Sequence, residues 1–341
     1  MRFSLQGNLL KPTISEEFKR AEAAEELGFE GLFFPSGLSI SIDSFLLVAA
    51  CAMRTKRIRL ASGVTNMVTR DPAVLASSAA GLNEISNGRA ILGIGTGDNA
   101  VYRLGLTASP VAKFEEGLRN IRELVQGRSI PVPRGNKEIG PDFRFSLRAG
   151  KFPVPLYVAA EGPRTLRVAG KLADGVILGS GFDLRVLQWA RERIAEGAKE
   201  AGRLLSDIDI AVAGMICVDE DGALARNLIR ARLSNRAHHN FRFTVETVPP
   251  EELDGVRRFM KAFDVSKSLE QEVDPELVTD YLLQRFAIAG TPEECRARVR
   301  KLGETGVRHI MVTPPMKGYF KVMEVWAKKV MPHFSEHVAK T

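Results

Sequence analysis

The sequence predicts an α/β fold, a (β/α)8 TIM barrel, and three observations carry that expectation. Short β-like runs alternate with amphipathic helices along all 341 residues. Eight such units can be counted, and eight in series close a parallel sheet on itself. The segment after Gln6 has only Gly7, where a doubly wound sheet would ordinarily carry a glycine-rich phosphate fingerprint. Barrels of this size remain one domain, so residues 1–341 read as one.

Residues 2–7 (RFSLQG) read as the first strand. The helix after it opens with Thr13 and Glu16 at capping-box spacing and ends at Gly28. Residues 31–36 (GLFFPS) give the second strand, a helix near 42–55 follows, and 58–66 (IRLASGVTN) give the third. In the next helix Asp71 is the cap, Pro72 suits the first turn, and Leu75, Ala79, Leu82 and Ile85 make one apolar stripe. Strand four is 89–95, and its helix carries Phe114, Leu118, Ile121 and Val125 on one face. Residues 128–153, polar and rich in Gly and Pro, read as an insertion or short hairpin. Strand five (155–160), a helix (163–173), strand six (175–179), a long helix (183–203) and strand seven (208–218) follow. Strand eight is 309–313, with a closing helix at 320–334.

Residues 223–286 form a second insertion, between strands seven and eight. It holds Arg226, Arg230, Arg232, Arg236, His238, His239 and Arg242, with no acid from 223 to 244. In a barrel it would sit over the C-terminal face, so it reads either as a lid or as a solvated basic helix.

Composition excludes several classes. Net charge is +7, but the basic residues are interleaved with acids, as in Arg191-Glu192-Arg193, and there is no basic tail, so nucleic acid is not an expected partner. No run approaches 18 apolar residues, and the N-terminus lacks an apolar signal core, so no membrane is expected and the cytoplasm is the default location. Cys51, Cys217 and Cys295 are scattered, with neither metal-ligand nor redox spacing.

A barrel takes its chemistry from the C-terminal ends of its strands. Those positions here are Gln6, Gly63 to Asn66, Gly95 to Asp98, Glu161-Gly162 and Gly179-Ser180-Gly181. They are rich in glycine and poor in titrating groups, with no His or Cys beside a base and no metal cluster. Such ends suit a large ligand whose phosphate or carbonyls meet backbone N–H groups. Glu161-Gly162-Pro163, with Thr165 in the first turn, and Gly179-Ser180-Gly181 each end a strand and open a helix, and both helix N-termini favour an anion. Each glycine string is equally a tight turn. Asp98 is either a proton donor or acceptor or the cap of its turn, and Gln6 can hydrogen-bond a substrate without serving as a base. His238 and His239 reach in as acid or oxyanion partners or stay on the surface.

Three blocks now resemble a known family. Residues 66–98 (NMVTRDPAVLASSAAGLNEISNGRAILGIGTGD), 154–178 (VPLYVAAEGPRTLRVAGKLADGVIL) and 286–313 (FAIAGTPEECRARVRKLGETGVRHIMVT) are similar, in the same order, to blocks of the bacterial-luciferase-like flavin-dependent oxidoreductases. The nearest look is to the methylenetetrahydromethanopterin reductase-like branch, which uses the deazaflavin coenzyme F420, whereas the luciferases and alkane or sulfonate monooxygenases use FMN. The resemblance implies a flavin ring at the barrel mouth, supported by a bulge after the third strand, often with a non-prolyl cis peptide, at Gly63-Val64. It puts Asn66 near the ring edge, Thr96, Gly97 and Asp98 by the ring or ribityl chain, and Glu161, Gly162, Thr165, Gly179, Ser180 and Gly181 along the ribityl and phosphate portions. It also implies a homo-oligomer. This chain has Thr96 where the luciferase branch commonly places a phosphate-binding Arg, and Gln6 where methanopterin-type reductases carry an acid.

The first functional reading is a reduced-FMN monooxygenase acting on a small organic substrate, fed by a separate flavin reductase. The alternative is an F420-dependent reductase or dehydrogenase moving a hydride through the deazaflavin. A non-catalytic flavin-binding barrel is a lesser third.

Overall fold

The computed structural model describes residues 1–7, 12–36, 42–131, 144–148, 150–230, 233–263 and 274–334. The calls on Arg232 and on much of the 128–153 insertion lie outside these residues. In chain order the elements are β1 (Arg2–Gln6), α1 (Ile14–Glu26), β2 (Gly31–Phe34), α2 (Ser44–Ala52), β3 (Arg59–Ser62), β4 (Thr65–Asn66), α3 (Pro72–Ile85), β5 (Ala90–Gly95), α4 (Asn99–Tyr102) and α5 (Val111–Val125). Then come β6 (Ile130–Pro131), β7 (Arg144–Phe145), β8 (Leu156–Ala159), α6 (Pro163–Leu172), β9 (Gly175–Leu178), α7 (Leu184–Glu200) and β10 (Asp209–Val218). The chain continues with α8 (Gly222–Arg230), α9 (Ser234–Thr244), α10 (Leu253–Ala262), α11 (Asp280–Phe286), β11 (Ala287–Gly290), α12 (Pro292–Glu304), β12 (His309–Thr313) and α13 (Tyr319–Lys329).

Parallel pairing runs β1-β2-β3-β5-β8-β9-β10-β12 and returns to β1, which closes the eight-stranded barrel that the sequence predicts. Side chains alternate across its wall. Phe33, Ala61, Ile91, Tyr157, Ile177, Ala211, Ala213 and Met311 fill the lumen, while Phe3, Leu5, Leu32, Leu60 and Leu92 face the helices. The Thr13–Glu16 capping box forms as expected, and Asp71 and Pro72 open α3.

Several details depart from the expectation. The third strand is broken in two. Ala61 pairs Ile91 and Thr65 pairs Ile94, so the β3–β4 edge holds one residue more than β5 across the gap. Ser62 bridges it, its Oγ donating to the Gly93 carbonyl (2.9 Å) and accepting from the Gly93 N–H (3.1 Å). The α3 stripe is rotated, with Leu75, Ala76, Ala79 and Asn83 buried and Ile85 half exposed. The second insertion is followed by a strand not expected from the sequence, β11, which continues parallel pairing along the outer half of the ten-residue β10. In the first insertion, by contrast, β6 and β7 form an antiparallel pair, in keeping with the short hairpin weighed from the sequence.

Candidate active site

The C-terminal mouth is floored by Val64 and Ala159, which rest on the lumen cluster below them. Val64 follows a cis peptide bond from Gly63, at the position where the resemblance places one. The carbonyl of Gly63 accepts a hydrogen bond from Gln6 Nε2 (3.1 Å), which ties the end of β1 to the bulge. A Cβ on Gly63 would stand 2.5 Å from Phe33 Cβ, so only glycine lets the bulge lie against β2. Asn66 is nearly buried at the end of β4. Its Oδ1 accepts from the N–H groups of Val68 and Thr69 and from Thr69 Oγ1 (2.9 to 3.1 Å), which leaves its Nδ2 as a donor.

After β5 the chain turns sharply at Thr96-Gly97-Asp98, with Gly97 at φ +104°. The carbonyl of Asp98 starts α4 by accepting from Val101 and Tyr102 (2.8 and 2.9 Å). Its carboxylate is exposed and makes no hydrogen bond among the described residues, so the side-chain cap weighed from the sequence is not what the structure shows. Asp98 is thereby available to whatever enters the mouth.

The two helix N-termini differ. Helix α6 starts at Gly162 with no side-chain cap, so the N–H groups of its first turn, Thr165 among them, remain open. Helix α7 is capped by its own Asp183, whose carboxylate accepts from the Arg185 N–H. Gly179, Ser180 and Gly181 are buried just before it, Gly181 at φ +79° with its α-carbon against the Arg285 carbonyl, which also accepts from the Phe182 N–H. An anion is therefore better received at α6 than at α7, where a carboxylate already occupies the positive end.

Helix α9 reaches this mouth. Phe243 lies beside Gly162, and the Arg242 guanidinium stacks over Phe243 and over Tyr102 of α4, 5.8 Å from each ring. Of the paired histidines, His239 Nε2 is 3.9 Å from the Glu161 carboxylate. His238 lies against Phe263, with ring centroids 4.5 Å apart and planes tilted by 31°. Burial, with the Arg242 and His239 charges beside it, holds the His238 imidazole below its ordinary value.

Sequence reading missed Asn240 and Arg285. Asn240 is fully buried and donates from Nδ2 to Glu161 Oε2 (3.0 Å). Arg285, 1% exposed, donates to Asn240 Oδ1 (3.0 Å), Thr244 Oγ1 (2.8 Å), Thr247 Oγ1 (3.2 Å) and the Tyr281 hydroxyl (2.7 Å). An arginine in a short amphipathic helix gives no sign of burial in the sequence. Only the meeting of α9 and α11 reveals it.

The residue pattern and the geometry agree with comparison to known proteins. A family model described as luciferase-like monooxygenase matches residues 2–309. The chain belongs to that family. This luciferase-like oxidoreductase is 31% identical to the 5,10-methylenetetrahydromethanopterin reductase of Methanolobus tindarius, over 87% of this chain and 89% of that protein. It is 26% identical to the F420-dependent glucose-6-phosphate dehydrogenase of Amycolatopsis mediterranei, over 83% of this chain and 81% of the relative. Among solved structures, the coenzyme F420-dependent tetrahydromethanopterin reductase of Methanopyrus kandleri superposes with a TM-score of 0.80 at 25% identity, covering 98% of this chain and 99% of that one.

Proposed function

We propose that the protein is an F420-dependent oxidoreductase that exchanges a hydride with a small organic substrate. The observation that carries this reading is near full-length similarity to F420-dependent enzymes, joined to a mouth without a nucleophile–base pair among the described residues. No group of metal-ligating side chains occurs among the described residues. The relatives favour this deazaflavin alternative over the reduced-FMN oxygenase, which came first in order from the sequence.

The residues present fit such a cofactor. Val64 and Ala159 offer an apolar floor for a flat ring, and Asn66 Nδ2 offers a hydrogen-bond donor beside it. Glu161 would accept from ribityl hydroxyls, and the open N-terminus of α6, with Gly162 and Thr165, would receive the phosphate. Bound F420 would supply a two-electron hydride carrier that forms no productive oxygen adduct. Asp98 would hold or deliver the accompanying proton from its exposed position, and Gln6, locked to the bulge, would orient substrate without acting as a base. Thr96 in place of a guanidinium supports the same choice against FMN. Gln6 in place of an acid points to a substrate other than methanopterin. Self-association, which the family resemblance implies, belongs to this reading too and is read by light scattering.

The test adds F420, FMN and reduced FMN separately to the purified protein. Tight F420 binding with no oxygen uptake is the expected result. Oxygen consumption with reduced FMN, and none of that F420 binding, would return the oxygenase to first place.

A further inference from the structure

The inserted helices also bring a buried polar chain to the end of β8. Between the Glu161 carboxylate at the end of β8 and the buried Arg285 guanidinium on α11 stands one side chain, the amide of Asn240 on α9. Its Nδ2 donates to Glu161 Oε2 (3.0 Å), and its Oδ1 accepts from Arg285 Nη2 (3.0 Å) and from Thr244 Oγ1 (2.7 Å). A guanidinium can only donate and an ionised carboxylate can only accept, so the amide has one allowed orientation. Its dipole runs from the cation to the anion. No carboxylate pairs directly with Arg285 among the described residues. The neutral oxygens of Asn240, Thr244, Thr247 and Tyr281, with the Phe241 ring face 4.8 Å away, take its charge instead.

We propose that Asn240 is a positioning residue, fixing the Glu161 carboxylate for the cofactor, and that Arg285 fixes Asn240 in turn. This rests on the reading that Glu161 lines the flavin site. A glutamate side chain has several rotamers of its own. A buried donor of fixed direction narrows that choice before the ligand arrives, which lowers the ordering cost of binding. The inserted segment would thus supply part of the site's preorganisation, and the basic stretch picked out from the sequence would matter through an uncharged member.

Asn240→Asp separates positioning from folding. The aspartate keeps an acceptor for Arg285 and Thr244, loses the donor to Glu161, and sets a negative charge between that carboxylate and the Arg285 guanidinium. F420 dissociation constants, read by quenching of its fluorescence on full-length protein, are compared for wild type, N240D, E161Q and the double variant, with thermal midpoints alongside. N240D should weaken F420 binding about tenfold or more, as expected for loss of a hydrogen bond to a charged group, with an unchanged midpoint. In the E161Q background the same change should cost less than about twofold, because the carboxylate it acts through is gone. Wild-type affinity in N240D, or an equal loss in both backgrounds, overturns the proposal. If N240D does not fold, Asn240→Ala and the double variant E161Q/N240A give the same cycle. E161Q binding F420 like wild type would instead remove Glu161 from the cofactor site, and wild type binding FMN but not F420 would displace only the cofactor assignment, the cycle then being read with FMN.

Discussion

The two ends of the barrel treat their polar groups in opposite ways. At the N-terminal end Arg2, Ser4, Tyr157, Asp209 and His309 are joined side chain to side chain. Asp209 accepts from Arg2 (2.5 Å), from the Tyr157 hydroxyl (2.6 Å) and from His309 Nδ1 (2.9 Å), and His309 Nε2 meets Ser4 Oγ (2.8 Å). Burial alone would raise the Asp209 carboxyl, but the hydrogen bond and charge of His309, the Tyr157 hydroxyl and Arg2 together hold it well below the usual carboxylate range. Burial and then the Asp209 charge push the Tyr157 phenol up. At the C-terminal end Asp98, Asn66 Nδ2 and the first turn of α6 are left over. Ser4, His309 and Asp209 reproduce the order and distances of a hydrolytic triad, yet Ser4 is fully buried under the lumen side chains and no substrate can reach it. The polar groups of the one end are joined to each other, and those of the mouth remain open to a ligand.

That contrast can be broken or sharpened by substitution. Asp209→Ala leaves donors from Arg2, Tyr157 and His309 without their acceptor and should cost about 3 kcal/mol in urea unfolding, while activity per folded molecule stays as it was. Asp98→Asn should do the reverse, lowering kcat about 100-fold with unfolding and F420 affinity little changed. A larger loss of affinity than of kcat would make Asp98 a binding residue. Gly63→Ala should touch both ends of the comparison, since its methyl group meets Phe33. About 1 to 3 kcal/mol of stability and a measurable part of the cofactor affinity should go together.

Acid offers a more graded test. The Asp209 pKa is lowered by folding, so its contribution is complete above the ordinary aspartate value near pH 4 and is lost as pH falls below that towards the folded value. Unfolding free energy measured from about pH 4 downward should therefore fall less steeply in Asp209→Asn, by about 1.4 kcal/mol per pH unit at most. The smallest effect is expected from Ser4→Ala, about 1 kcal/mol for one lost partner of His309, with turnover unaltered. Turnover abolished by S4A would sink the structural assignment of this network.

Much of this was legible in the chain. The β/α alternation, the Thr13–Glu16 box and the Asp71-Pro72 start were readable because local hydrogen bonding and period-2 or period-3.6 burial act over a few residues. The stretches at the barrel mouth could be named because strand ends carry function in such barrels, and the bulge at Gly63-Val64 lay where the family resemblance put it. The choice between the two helix N-termini could not be read. Asp183 precedes α7 in plain view, but whether α6 or α7 stays open depends on which caps form and what packs against Gly181.

The sequence by itself determined the barrel, its eight units and the strand ends that form its mouth, since those follow from local pattern and chain order. Only the tertiary structure decided that Ser4, Tyr157, Asp209 and His309 share one end of the lumen, and that Glu161, Asn240 and Arg285 meet at the other. These partners lie tens to hundreds of residues apart, and closure of the sheet and docking of the inserted helices bring them within hydrogen-bonding range. No local preference encodes such meetings. Burial makes them matter, because a polar group removed from water must find its partner wherever the fold has put it.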